Sequence, residues 1–125
     1  MKWYAAHLLV LVKTPNSVQE EFHLWENIVL VGATSSDEAW AKADALGKNR
    51  YAVPLEKSDI TLDGQKACHE FCGIRRLVQV DNYEKRPGDG SEITYLRLEV
   101  SSQKDVQRLL DNEPITLIFD DLESS

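Results

Sequence analysis

Three histidines, two cysteines and a few charges set inside apolar runs are the residues of this chain with the means to do chemistry. Cys68 and His69 adjoin, the pair that a thiol nucleophile and its base would need. On a strand, however, neighbours face opposite ways, so the imidazole is badly placed to deprotonate that thiol. His7, His23 and His69 fall in separate runs at spacings that match no standard metal site, and they read as structural histidines. The phosphate-cradling glycine loop, His-Glu-x-x-His, the nucleophile elbow and Cys-x-x-Cys do not occur. No catalytic residue, metal or cofactor is therefore expected.

The misplaced charges are more informative. Glu26 alternates with Phe22, Leu24, Ile28 and Leu30, while Glu70 and Arg76 share a period with Cys68, Cys72, Ile74, Val78 and Val80. An ionised group among such neighbours needs a partner. One solution is an ion pair at the sheet end or a bulge turning Glu26 outward. The other is a pocket in which Glu26, Glu70 and Arg76 converge on a small polar ligand. Trp25 fits either a core or an interface anchor.

These residues must be positioned by the runs that carry them. Trp3–Lys13 is apolar on both alternating faces and ends at Thr14-Pro15-Asn16-Ser17. It reads as a strand paired antiparallel with Phe22–Ala33, and its double-sided greasiness demands cover on both faces. Ser35-Ser36-Asp37-Glu38 opens the clearest helix, Ser36–Leu46, with a capping box at its start and Gly47 placed as the left-handed stop. Ala39, Trp40, Ala43 and Leu46 form its expected core stripe. Pro54 marks an irregular stretch, after which Ile60–Leu62, Asp63-Gly64 and Gln65–Val80 read as a hairpin. Arg86-Pro87-Gly88-Asp89-Gly90 then returns the chain into Ser91–Val100, extending a long β-hairpin. Ser102 starts a short helix bearing Val106, Leu109 and Leu110, and Ile115–Phe119 is a last strand. The expected class is α+β: an antiparallel sheet of strand-strand-helix and a long β-hairpin, with a short C-terminal helix and strand.

At 125 residues, one domain over 1–125 is expected, large enough for a core without staples. Fourteen Lys and Arg against 21 Asp and Glu give −7, which argues against nucleic acid as a partner. Two cysteines are too few for a disulfide scaffold. Four residues apart on one strand, they would lie about 13 Å apart, beyond the roughly 7 Å a disulfide spans. Buried free thiols in a reducing compartment follow. The apolar run Trp3–Val12 lacks a cleavage site and is too short for a bilayer, so no membrane role and a cytoplasmic location are expected.

Trp3-Tyr4-Ala5-Ala6, then Leu24-Trp25-Glu26-Asn27-Ile28-Val29-Leu30, then Ser35-x-x-Glu38-Ala39 with Lys42-Ala43 and Leu46-Gly47, then Phe71-x-Gly73-Ile74 and Asp89-Gly90-Ser91-Glu92 form an ordered set. The set resembles a family of small bacterial proteins known as a domain of unknown function, over Trp3 to Leu98. The resemblance implies a strand-strand-helix unit followed by a β-hairpin, and no reaction. The segment Ser102–Phe119 departs from it as an addition, and the family's Ser-Arg pair at the end of the Ser91–Val100 strand is missing, although Arg97 lies close by.

From Glu99 onward, Glu99, Asp105, Asp111, Glu113, Asp120, Asp121 and Glu123 face only Lys104 and Arg108, so this stretch holds −5 of the chain's −7. The acidic addition at 101–125 makes Asp111, Glu113, Asp120, Asp121 and Glu123 the expected contacts to a protein with a basic surface. The functional expectation is a non-enzymatic protein–protein interaction module, such as an acidic inhibitor or immunity-type protein; a homodimer is one way to cover the second sheet face. The competing expectation is a small-ligand-binding protein or minor enzyme built on the Glu26, Glu70 and Arg76 pocket.

Overall fold

The apolar run at the start of the chain becomes strand β1, Lys2–Lys13, which lies inside a sheet and not at its edge. Its neighbours are β2, His23–Ala33, and β4, Gln65–Gln79, both antiparallel to it, while β3, Ile60–Leu62, closes the order β2-β1-β4-β3. This is the central position that double-sided apolarity requires: every β1 side chain from Trp3 to Lys13 is buried or half-buried. The computed structural model describes residues 1–14, 22–80 and 86–119. The fold is α+β, and the chain divides into two compact units, Met1–Thr94 and Tyr95–Ser125.

In the first unit, helix α1, Ser36–Arg50, packs on one face of the sheet. Ser35 caps it, its hydroxyl accepting from the Glu38 N–H at 3.2 Å. Even-numbered β1 residues Tyr4, Ala6, Leu8 and Val10 meet Val31 and Ala33 of β2 and the small residues Ala39 and Ala43 of α1, all buried. Two features of α1 differ from expectation. Gly47 does not stop the helix, which runs on to Arg50; a Cβ there would lie 2.4 Å from the Phe71 ring, so glycine serves close approach to β4. Trp40, expected in the core stripe, is 46% exposed, because the stripe that meets the sheet is the alanine one.

The Asp63-Gly64 turn between β3 and β4 has positive φ at both residues, the geometry a two-residue hairpin favours. Ser91–Val100 does not return along β4. Within it only Leu98–Glu99 is strand, β5, and it pairs with β6, Ile118–Phe119, in the second unit. The physical reason lies in β4, whose pairing with β1 shifts register between His7 and Leu8 and again between Leu9 and Val10. Such bulges bend a strand and discourage further pairing along its open edge.

In the second unit, helix α2, Gln103–Leu110, has Ser102 at its N-cap, with no side-chain cap bond. Its Val106, Leu109 and Leu110 are exposed, and its buried residue is Asp105, held by Arg108 at 2.9 Å. Ile115–Phe119 contributes only Ile118–Phe119 as strand.

Candidate functional site

The face of the sheet opposite α1 carries the charges. Register places His7, Leu9 and Leu11 of β1 on this side with Leu24, Glu26, Ile28 and Leu30 of β2. Arg76 stands opposite His7, and the bulge brings its neighbour Arg75 to the same side. A strictly alternating strand would send these two arginines to opposite faces; the extra residue re-aims one of them.

Glu26 is the centre of the cluster. Its Oε2 accepts from Arg75 Nη2 at 3.0 Å and from His7 Nδ1 at 2.9 Å, and its Oε1 accepts from Arg75 Nε. With Nδ1–H given to the carboxylate, His7 Nε2 accepts from the Thr94 hydroxyl, which ties the end of the first unit to the sheet face. Burial would raise the Glu26 carboxyl, but the hydrogen bonds from Arg75 and His7 outweigh it and hold the group below the ordinary carboxylate value. Burial is the larger effect on His7 and holds it below the usual histidine value despite the carboxylate; Arg76 and Arg75 add to that lowering. His7 is therefore a neutral, fully buried connector.

Carboxylate, imidazole and hydroxyl in line is the order of an acyl-transfer triad. Here two features remove the chemistry. The imidazole has no exposed surface, and the carboxylate that would stabilise an imidazolium is already neutralised by the Arg75 guanidinium. The arrangement is suited to holding the far face rigid.

Of the three residues expected to form a polar pocket, Glu26 and Arg76 share this neighbourhood, but Glu70 pairs instead with Lys13 at 2.6 Å. Strict alternation across β4 grouped Ile74 with Arg76; the bulges put Ile74 in the helix-side core. Arg75, His7 and Thr94 were missed as members of the cluster. Gly73, with φ of 142°, was the legible sign that this strand is not regular. His7 and His69 lie on opposite faces, and no cluster among the described residues could hold a metal ion. Neither cysteine is buried: Cys68 is half-buried and Cys72, which sits in the bulged stretch, is exposed. Asp111 and Glu113 are exposed after α2, while Asp120, Asp121 and Glu123 lie outside the described residues.

A second feature flanks the helix-side edge of β4. His69 sits edge-on to the rings of Trp25 and Tyr51, at 5.3 and 5.4 Å, and its Nε2 has no hydrogen-bond partner among the described residues. An open groove of about 390 Å³ runs beside it, lined by Asp44, Lys48, Phe71 and Cys72 among others. Neither Glu26 nor Arg76 lines it.

Beside the partly exposed Lys13 and Glu70 pair, the far face leaves an apolar row in solvent. Phe22, Leu24, Ile28 and Leu30, at alternate positions about Glu26, keep 70%, 54%, 41% and 43% of their surface in solvent. Trp25, on the helix side of the same strand, is 45% exposed.

Fold and cluster define a small α+β protein with a four-stranded antiparallel sheet, one face under a helix and the other pinned by a half-buried ion-pair network. A family model described as a domain of unknown function (DUF4288) matches residues 3–95, and the chain belongs to that family. The match ends beside Thr94, so it takes in β1 to β4, α1 and the whole Glu26 cluster and leaves out α2 and β6. No curated protein and no solved structure matches the chain. Among the described residues, no helix is long and apolar enough to cross a membrane.

Proposed function

We propose that this chain is a non-enzymatic protein–protein interaction module that docks a partner through the far side of β2. The observation that carries the reading is the exposed row Phe22, Leu24, Ile28 and Leu30. Large apolar side chains at alternate positions of one strand form a contiguous patch, which soluble monomers rarely leave uncovered without a use for it. Glu26 and Arg75 hold the middle of the row, so the surface is preformed and little ordering is needed on binding.

Charge supports the choice of partner. The acidic excess from Glu99 onward favours a protein with a basic surface, because opposite fields speed encounter and fix orientation. A small acidic inhibitor, of the kind that immunity proteins provide against basic toxins or nucleases, fits that description. Free thiols at Cys68 and Cys72 suit a reducing, cytoplasmic setting.

The test is capture from the native host with wild-type protein and with a Leu24→Lys/Ile28→Lys variant of equal thermal stability. A basic protein retained by wild type and lost with the variant supports the reading, as does an association rate that falls between low and physiological salt. Equal retention by both would refute it. So would a small-molecule ligand displaced by changes in the His69 groove.

A further inference from the structure

We propose that two copies of this chain pair through the outer edge of β2, antiparallel, with Asn27 on the two-fold axis. Backbone direction at the strand edge carries this inference, and the apolar row of the docking reading adds only side-chain contact beside the seam. The Trp3 carbonyl accepts from the Val80 N–H at 2.9 Å, on the β4 side of β1. The Trp3 and Gly32 pair is thus a non-hydrogen-bonded one, and Gly32 directs its own N–H and C=O outward, away from β1. Lys42 Nζ donates to that Gly32 carbonyl at 2.7 Å, which agrees with the assignment. By the two-residue period, Leu24, Glu26, Ile28 and Leu30 also point their backbone groups outward.

Among the described residues, Lys42 on the Gly32 carbonyl is the one cover on this edge, and from Leu24 to Leu30 the strand lacks the usual protections. β2 pairs with β1 without a register shift from Lys2 and Ala33 to Val12 and His23, and it contains no proline and no lysine. Its one charge, Glu26, is turned back onto Arg75 and His7. By contrast, the open edge of β4 is bulged.

Four antiparallel registers, centred on Glu26, Asn27, Ile28 or Val29, join three or more outward residues to their copies; the Val29 one brings Glu26 to Gly32, whose carbonyl Lys42 occupies, and two others are disfavoured. Centring on Glu26 joins only Leu24, Glu26 and Ile28 within the strand and leaves Leu30 without a strand partner. Centring on Ile28 brings Leu24 to Gly32, whose carbonyl Lys42 already occupies. Centring on Asn27 pairs Leu24 with Leu30 and Glu26 with Ile28 of the second copy, and each such pair can exchange both backbone bonds. Both α1 helices then lie on the same side. The exposed side chains of Leu24, Ile28 and Leu30 on the far face and of Trp25 on the helix side flank the seam and add apolar contact to the backbone bonds. A reversible dimer is therefore expected.

Sedimentation velocity from 1 to 200 µM, with crosslinking in a Cys68→Ser/Cys72→Ser background, decides the matter. Asn27→Cys should give a disulfide-linked dimer under mild oxidation, since Cα atoms of a non-hydrogen-bonded pair lie about 4.5 Å apart, within disulfide reach. Ile28→Cys should link far less. Ile28→Pro removes an outward N–H while leaving the β1 ladder intact, and it should weaken dimerisation at least about tenfold with the far-ultraviolet spectrum unchanged. If Ile28→Pro fails to fold, Leu24→Lys with Leu30→Lys serves as the second blocking variant. A monomer throughout the range, or a dimer that survives a folded blocking variant and does not link at Asn27→Cys, overturns the proposal.

Discussion

Replacing Glu26 with alanine should be among the more damaging single changes in the sheet. The carboxylate accepts from Arg75 at two atoms and from His7 at one, and it is three-quarters buried. Removing it deletes hydrogen bonds to a charged acceptor and leaves the Arg75 guanidinium and the fully buried His7 Nδ1 without that acceptor. Breaking one side of a partly buried charged network in this way costs about 3 kcal/mol, more than a surface pair's fraction of a kcal/mol. For a chain of this size that corresponds to a fall in Tm of roughly 10 °C. Urea titration at pH 7 should show a lower midpoint with an unchanged slope. The cycle with Arg75→Ala should give a coupling of about 1–2 kcal/mol, because the two groups share one network. Glu26→Gln, which keeps the shape and one acceptor, should cost about half as much as Glu26→Ala. A cost below about 0.5 kcal/mol, or strict additivity with Arg75→Ala, would refute the idea that this cluster pins the far face.

Gly47→Ala, normally favourable in a helix, should instead destabilise by about 1–3 kcal/mol because its Cβ would meet the Phe71 ring at 2.4 Å, and Phe71→Leu should recover most of the loss on thermal denaturation. Stability should also fall with acid. Folded His7 and Glu26 both bind protons more weakly than in the unfolded chain, so their contributions are full above about pH 6.5 and pH 4.5 and are lost as pH drops through the lowered folded values. Urea midpoints should therefore decline below pH 6.5, and His7→Gln should flatten the upper part of that decline; a wild-type midpoint that rises on acidification contradicts it. Neutralising Asp120, Asp121 and Glu123 to Asn and Gln should slow association with a basic partner without shifting Tm, as stopped-flow measurements at low salt would show.

Much of this fold can be read from alternation and punctuation. β1 announced its central place by being apolar on both faces, Ser35 marked where α1 begins, and Asp63-Gly64 marked the turn into β4. What could not be read depends on a residue count in β4. Two extra residues there break the period of two, so strict alternation paired Glu26 with the wrong cation and set Ile74 on the wrong face. Gly47 misled for a related reason: glycine ends helices when it takes positive φ, but it also lets a helix lie against an aromatic ring, and only the position of Phe71 separates the two uses. Thr94 joined the cluster through a contact 87 residues distant in sequence, which no local pattern encodes.

The claim that the far side of β2 docks a protein is tested most directly by photo-crosslinking in the native host. A photoreactive phenylalanine analogue replaces Leu24 or Leu30 on the far face, Ala41 on the outer surface of α1, or Lys48 beside the groove. Besides any crosslink to a second copy of this chain, the prediction is a crosslinked protein of basic composition, obtained from Leu24 and Leu30 and not from Ala41 or Lys48. Crosslinks from Lys48 with none from the β2 positions, or none from any position in host cells, would contradict it.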